Sequence, residues 1–152
     1  MKTIIVDDEI MAIKLVRNYL ERDKRVEIVG ECLDAGEALQ CVRERAVEAA
    51  FLDICIHGCM DGVELGKKLK ELNPQIVLIY TTGNAQYVDN AIDVEADFYL
   101  MKPLNAAELT FVVKKANELA LQRNKRIFAR TFGHFDLYID CLLYTSPSPR
   151  DM

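Results

Sequence analysis

A short apolar run that ends in a carboxylate constrains the fold of this chain more than any other feature. Residues 49–52, Ala-Ala-Phe-Leu, are long enough for a β-strand that is buried on both faces, and Asp53 follows them directly. A charged side chain is rarely tolerated in a core without a partner, so Asp53 is expected at the carboxyl end of this strand. In open α/β sheets, that edge is where ligands bind.

Two further apolar runs end in charged residues. The pair Asp7-Asp8 follows residues 3–6, and Lys102 follows residues 98–101. If these strands are neighbours in the sheet, the aspartate pair and Asp53 meet at one edge, where Lys102 adds an ammonium group. Such crowding of carboxylates is costly unless a hard cation offsets the repulsion, so the sequence predicts a divalent cation site.

The remaining pattern predicts alternating strands and helices. Apolar runs predict five strands, over residues 3–6, 26–32, 49–53, 76–81 and 98–101. Helical spacing, with Asp34 and Asn105 as N-caps, predicts five helices, over residues 9–21, 35–45, 63–72, 85–94 and 106–120. The first helix carries apolar residues at mostly helical spacing: Ile10, Ile13, Leu15, Val16 and Leu20. This alternation implies a parallel sheet that helices cover on both faces, with right-handed crossovers.

Composition excludes several classes of protein. The 152 residues suit one domain with a sizeable core and a short extension. A net charge of -5 argues against an extended nucleic-acid-binding surface. The chain begins directly with strand residues and has no apolar run of membrane-spanning length, so we expect a cytoplasmic protein without a membrane partner. Five cysteines without framework spacing predict reduced thiols.

The polar residues at the strand ends resemble a known family. Asp7-Asp8, Asp53, Thr82 and Lys102-Pro103, in this order, resemble the receiver domain of bacterial response regulators. The resemblance covers residues 1–123. It implies an α/β, doubly wound, five-stranded parallel sheet of the flavodoxin-like (βα)5 type with strand order 2-1-3-4-5. It also implies a two-component phosphorelay, in which a sensor histidine kinase or phosphotransfer protein is the partner and Asp53 is the phosphoacceptor.

The same resemblance implies a magnesium site at the acidic edge. Asp8 would bind Mg²⁺ directly and Asp7 mainly through water. Asp53 and the backbone carbonyl of Cys55 would be further ligands. Because Mg²⁺ prefers octahedral oxygen coordination and keeps several waters, few protein ligands suffice.

Other residues would contact the phosphoryl group. Lys102 would pair with one phosphoryl oxygen as a point charge, and the hydroxyl of Thr82 would hydrogen-bond another. Thr81 is the rival for the second role. The twenty-residue step to Lys102 and the small Gly83 that follows favour Thr82.

Three positions would govern switching and the lifetime of the phosphorylated state. Tyr99 matches the switch aromatic of the family. When Thr82 moves toward the phosphate, the Tyr99 ring can turn inward and change the face formed by the fourth helix, the fifth strand and the fifth helix. Cys55 and Asn84 would flank the path of the attacking water and thereby tune dephosphorylation.

The loop after Asp53 departs from the family pattern. Ile56-His57 stands where the family usually has Met-Pro, and the loop before Asp61-Gly62 is one residue longer. Cys55, His57 and Cys59 invite a zinc interpretation, but a structural zinc site needs four ligands and these are three.

The C-terminal residues are interpreted separately. Residues 124–140 are expected to be a linker and the truncated start of an output domain. Within them, residues 127–140 alternate apolar and polar side chains, which predicts a strand or the start of a hairpin. That stretch resembles the opening strands of winged-helix DNA-binding domains, with an arbitrary tail strand as the alternative. Residues 141–152 resemble the translation of a sequencing adaptor and are expected to be non-native, in which case the native protein is longer.

The resulting expectation is a signalling module rather than an enzyme. Phosphorylation of Asp53 would alter the switch face, favour a homodimer and control transcription, with DNA contacted only through the missing output domain. One alternative is a stand-alone receiver that acts only by protein contacts. The other is a phosphohydrolase with an aspartyl nucleophile. Such enzymes usually carry a second carboxylate two residues after the nucleophile, where this chain has Cys55.

Overall fold

A five-stranded parallel sheet forms the centre of the molecule. The computed structural model describes residues 1–56, 61–83 and 96–132, with side chains to Arg123. The strands are β1 (Lys2–Val6), β2 (Glu27–Cys32), β3 (Ala49–Asp53), β4 (Val77–Thr82) and β5 (Phe98–Met101). Their order across the sheet is β2-β1-β3-β4-β5. The predicted flavodoxin-like fold and its strand order are therefore confirmed.

Helices pack on both faces of this sheet. The helices in the described residues are α1 (Ile10–Leu20), α2 (Ala35–Glu44), α3 (Gly62–Leu72) and α4 (Ala106–Phe132). Buried residues of α2 and α3 join one apolar cluster with alternate strand residues, and buried residues of α1 and α4 join a second cluster. Because successive strand side chains point to opposite faces, each central strand contributes to both clusters.

The register of the sheet brings the carboxyl ends of four strands, β1, β3, β4 and β5, to the same level. Val6 pairs with Leu52 across β1 and β3, and Asp53 pairs with Thr81 across β3 and β4. Thr82 pairs with Met101 at the end of β5. The residues that follow these strands are therefore held at one edge of the sheet.

Side chains cap three of the helices. The predicted caps are confirmed, since Asp34 accepts a hydrogen bond from the Glu37 amide at 2.8 Å and Asn105 accepts from the Ala107 amide at 2.8 Å. A third cap was not predicted: Asp61 accepts from the Glu64 amide at 2.8 Å at the start of α3. An N-cap carboxylate satisfies an amide that the helix itself leaves unpaired.

Two of the apolar residues that gave α1 its predicted helical spacing do not join the core. Ile10 and Leu15 are 55 % and 46 % exposed, whereas Ile13, Val16 and Leu20 are buried. The buried residues follow the spacing of three and four that keeps side chains on one helix face. Leu15 lies off that face, and Ile10 lies in the first turn.

The last helix is longer than predicted. The chain divides into two units, Met1–Ala120 and Leu121–Met152, and the described part of the second unit, residues 121–132, is helical. The predicted strand over 127–140 is therefore wrong for residues 127–132. Leu, Gln, Arg, Lys and Ala dominate residues 121–130, and their helix propensity outweighs the weak alternation. Residues 133–152 and the predicted helix over 85–94 lie outside the described residues.

Two further expectations concern membranes and cysteines. No helix in the described part of the chain has both the length and the apolar composition that crossing a membrane requires. Cys32, Cys41 and Cys55 are free thiols.

The packing of α3 predicts unequal effects for two leucines of the same helix. Leu69 is fully buried against the sheet, whereas Leu72 is 42 % exposed. Leu69→Ala should lower the free energy of unfolding by about 2–5 kcal/mol, because it leaves a cavity in the core. Leu72→Ala, the matched control, should cost less than about 1 kcal/mol. Urea denaturation of both variants measures the difference, and equal losses would contradict this packing.

Candidate functional site

Three carboxylates meet at the carboxyl edge of the sheet. Asp7 and Asp8 follow β1, and Asp53 ends β3; one carboxylate oxygen of each lies within 4.8 Å of the others. Asp7 and Asp53 are only 4 % and 7 % exposed, while Asp8 is half-buried. The predicted cluster is confirmed, and its charges lie where water screens them poorly.

Lys102 places one ammonium group between two of these carboxylates. Its Nζ lies 3.0 Å from Asp7 Oδ2 and 3.7 Å from Asp53 Oδ2. Its backbone amide donates to the Thr82 carbonyl at 2.8 Å, which fixes the residue at the end of β5. Burial opposes the charged form of Lys102, but the bond to Asp7 and the Asp53 charge outweigh burial and raise its pKa.

Asp53 is held in an environment that disfavours its charge. Burial is the largest influence and raises its pKa above the ordinary carboxyl value, with the Asp7 and Asp8 charges acting in the same direction. The Cys55 amide, which donates to Asp53 Oδ1 at 3.1 Å, and Lys102 oppose this rise. The ionised form of Asp53 is therefore costly in the folded chain, chiefly because the carboxylate is buried.

A glycine at the start of α3 allows that helix to approach Asp53. The Gly62 amide donates to the Ile54 carbonyl at 3.0 Å. A Cβ atom on Gly62 would lie 2.2 Å from the Asp53 carbonyl oxygen, a distance that backbone atoms cannot accommodate. The sequence placed Gly62 only in a loop, and nothing local marks this close approach.

The two threonines at the end of β4 have different surroundings. The Thr81 hydroxyl donates to the Leu52 carbonyl at 3.4 Å, toward the interior of the sheet. The Thr82 hydroxyl hydrogen-bonds the Cys55 thiol. Burial and then the Asp53 charge raise the pKa of Cys55, and this bond from Thr82 only partly opposes the rise. Thr82 thus lies beside Cys55, which is two positions after Asp53.

Two tyrosines extend from the site across neighbouring strands. Tyr99 on β5 is half-buried and stacks on Tyr80 of β4, with ring centroids 6.2 Å apart and an angle of 22° between the ring planes. Tyr80 is fully buried and was missed by sequence reasoning. The available signal was a tyrosine inside an apolar strand, since a buried phenol needs a hydrogen-bond partner.

Three residues that the sequence analysis considered for this site lie outside the described residues: Asn84, His57 and Cys59. Cys55 is half-buried and contacts Asp53 through its amide, but the ligand role of its carbonyl stays a prediction.

The donor set fits Mg²⁺. Among the described residues, the three clustered side chains offer carboxylate oxygens, which hard cations prefer, and Lys102 contacts two of them. A bound divalent cation would offset the repulsion among the three carboxylates. Asp7, Asp8 and Asp53 are the residues that would hold it.

The raised pKa of Asp53 makes a prediction about stability and pH. Above both its unfolded and its folded pKa, the fold carries the cost of an ionised, poorly neutralised carboxylate; below both values, that cost is absent. Asp53→Asn should therefore raise the melting temperature in chelator at about pH 7, and the gain should shrink as the pH falls toward about 4.

Thermal melts across this pH range measure the effect. Asp34→Asn is the matched control, because asparagine caps a helix as well as aspartate does and residue 34 is exposed. A lower midpoint for Asp53→Asn at neutral pH would contradict the electrostatic cost.

Comparison with known proteins agrees with the geometry. The family described as response regulator receiver domain matches residues 3–114. The sensory transduction protein LytT of Bacillus cereus is 31 % identical over 115 residues, which are 76 % of this chain and 46 % of that protein. The transcriptional regulatory protein YpdB of Escherichia coli K12 is 30 % identical over 115 residues, which are 76 % of this chain and 47 % of that protein.

A solved structure shares the fold. The REC domain of AraT, a response regulator from Geobacillus stearothermophilus, superposes with a TM-score of 0.73 at 33 % identity, covering 81 % of this chain and 97 % of that chain. The chain spans about half the length of the curated relatives it matches. The acidic edge, the strand order and these matches together show that the chain belongs to the response regulator receiver family.

Proposed function

We propose that this chain is a phosphorylation-dependent switch whose phosphoacceptor is Asp53 and whose donor is a sensor histidine kinase or phosphotransfer protein. The observation that carries the proposal is the position of Lys102, whose ammonium lies 3.0 Å from Asp7 and 3.7 Å from Asp53. This group can pair with an incoming phosphoryl oxygen without leaving Asp7. If the ion pair between Lys102 and Asp7 had only a structural role, it would not require Asp8 and Asp53 at the same edge.

The two oxygens of Asp53 have different roles in the transfer. Oδ1 accepts from the Cys55 amide, which fixes the carboxylate plane, and Oδ2 faces Lys102. A carboxylate oxygen attacks phosphorus, a new P–O bond forms, and the P–N bond to the donor imidazole breaks; the imidazole then takes up a proton. Lys102 offsets the charge that reaches the site with the phosphoryl group. Mg²⁺, when bound, supplies further neutralisation of the phosphoryl oxygens.

Thr82 and Tyr99 are proposed to report the phosphorylated state. The Thr82 hydroxyl lies beside Cys55 and would turn to a phosphoryl oxygen instead. That movement would free space next to the half-buried Tyr99 ring. The surface around β5 would change in consequence, which is the kind of local event that a bistable element amplifies.

The output is proposed to be transcription, through phosphorylation-dependent dimers and DNA contacts made outside this chain. The name of the relative YpdB, a transcriptional regulatory protein, supports this output. A stand-alone receiver that acts by protein contacts alone is the alternative within signalling. Sequencing the gene through and beyond residue 140 distinguishes the two.

A switch is favoured over a phosphohydrolase by the residue two positions after Asp53. Cys55 carries a thiol whose pKa is raised by burial and by Asp53, so it is a poor proton donor and a poor base near neutral pH. Incubation with a phosphomonoester tests this directly. A phosphohydrolase would release inorganic phosphate over many turnovers, whereas a switch should leave the ester intact.

Asp53 should be labelled by a small phosphodonor such as acetyl phosphate, in a Mg²⁺-dependent reaction. Asp53→Asn should abolish the label, because an amide cannot act as the nucleophile. Asp34→Asn, the matched control at a helix cap, should label like the wild type. Intact-protein mass spectrometry measures the added phosphoryl group. Equal labelling of Asp53→Asn would show that another residue accepts it.

The phosphorylated state should be long-lived, and Cys55→Asn should shorten it. A thiol is a weak hydrogen-bond partner and holds an attacking water poorly, whereas an amide side chain can orient that water. The Cys55 backbone amide, which binds Asp53, is retained in the variant. Decay of the phosphorylated fraction after donor removal, in Mg²⁺, measures the lifetime. Cys55→Ala, which has no side-chain amide, serves as the control. Unchanged decay in Cys55→Asn would show that water placement at this position does not set the lifetime.

A further inference from the structure

We propose that Tyr80 is a positioning residue that couples Tyr99 to the backbone beside Asp53 through a buried hydrogen bond. The inference rests on the proposed function, in which Asp53 is phosphorylated and Tyr99 responds. It adds a connection that does not pass through the Thr82 hydroxyl. Contacts among the described residues carry it, and each involves Tyr80, Tyr99 or the first two turns of α3.

The Tyr80 hydroxyl binds the first turn of α3. It donates to the Gly62 carbonyl at 3.0 Å and lies 3.4 Å from the Val63 carbonyl. The side chain is fully buried, so the hydroxyl depends on these acceptors. Burial raises the pKa of the phenol far above its ordinary value, which keeps the hydroxyl a donor.

A glycine in α3 makes room for this hydroxyl. A Cβ atom on Gly66 would lie 1.9 Å from the Tyr80 hydroxyl oxygen and 3.0 Å from the ring carbon that bears it. Glycine destabilises a helix interior relative to alanine, so its presence there needs a tertiary reason. The fit between Tyr80 and Gly66 supplies that reason, because an alanine would drive the hydroxyl away from the helix.

The turn that Tyr80 binds is the one that abuts Asp53. The Gly62 amide donates to the Ile54 carbonyl at 3.0 Å, and no Cβ atom fits between Gly62 and the Asp53 carbonyl. Gly62 is therefore bonded on one side to the segment after Asp53 and on the other side to Tyr80. Any shift of that segment on phosphorylation changes the position of the acceptor that Tyr80 uses.

Besides the first turn of α3, Tyr80 contacts Tyr99. The two residues are paired in register on neighbouring strands, and their rings stack with centroids 6.2 Å apart. Because the phenol ring is rigid, a displacement of its hydroxyl end tilts the face against which Tyr99 packs. Coupling of this kind is reciprocal, so the orientation of Tyr99 should also affect the segment after Asp53.

Nuclear magnetic resonance of ring-labelled tyrosines tests the coupling. Beryllofluoride with Mg²⁺ serves as a stable phosphoryl mimic, and the Tyr99 signal is assigned from Tyr99→Phe. In wild type, the mimic should shift the Tyr99 signal. In Tyr80→Phe, which keeps the ring and removes only the hydroxyl, that shift should fall at least about twofold while the mimic still binds.

Gly66→Ala is the second variant, because it displaces the hydroxyl without altering any tyrosine. It should reduce the Tyr99 shift as Tyr80→Phe does. Tyr19→Phe, which removes a phenolic hydroxyl from α1, is the matched control and should leave the shift unchanged. Binding of the mimic is followed separately, by ¹⁹F signals of the bound fluorides.

The outcomes separate the two proposals. Failure of the wild type to bind the mimic overturns the proposed function, and the coupling with it. Normal binding with an equal Tyr99 shift in wild type, Tyr80→Phe and Gly66→Ala overturns the coupling alone. A wild-type Tyr99 signal that does not shift when the mimic binds overturns the coupling and the proposed reporter role of Tyr99, but not the assignment of Asp53 as phosphoacceptor.

Discussion

Repulsion among the carboxylates at the edge of the sheet is the constraint on which the rest of the structure depends. Asp7 and Asp53 are buried, and Asp8 brings a third negative charge within 4.8 Å. The Glu9 amide donates to Asp7 at 3.0 Å, and the Cys55 amide donates to Asp53 at 3.1 Å. Lys102 contacts both carboxylates. These contacts offset part of the cost of burying Asp7 and Asp53. A divalent cation held by Asp7, Asp8 and Asp53 would offset more of the repulsion among the three carboxylates.

Much of this arrangement could be predicted from the sequence because its signals are local. The carboxyl end of β3 at Asp53 and both ends of β5 follow from apolar runs that stop at a charge. The caps Asp34 and Asn105 follow from side chains that accept bonds from nearby amides. Parallel topology then brings the strand ends together, so the acidic edge needed no tertiary information beyond strand order.

Features that depend on contacts between distant residues could not be predicted. The fit of Tyr80 into the space above Gly66 joins a strand to a helix, and periodicity carries no trace of it. Ile10 matched the helical spacing in α1 yet lies exposed in the first turn. Residues 127–132 alternate weakly, but they continue a helix from the strong helix formers of residues 121–126, and propensity summed over that longer stretch prevailed. For Ile10 and for residues 127–132, the local pattern allowed two outcomes.

Contacts with distant residues fix both ends of the loop after Asp53. Its first residues are fixed by the Cys55 amide on Asp53 and by the burial of Ile56, which is 4 % exposed. Its last residues are fixed by the Gly62 amide on Ile54 and by the Tyr80 hydroxyl on the Gly62 carbonyl. Lengthening a loop between fixed ends costs little, because closure entropy grows only with the logarithm of length. The departure from Met-Pro and the extra residue that the family resemblance implies would therefore change the loop without displacing Asp53.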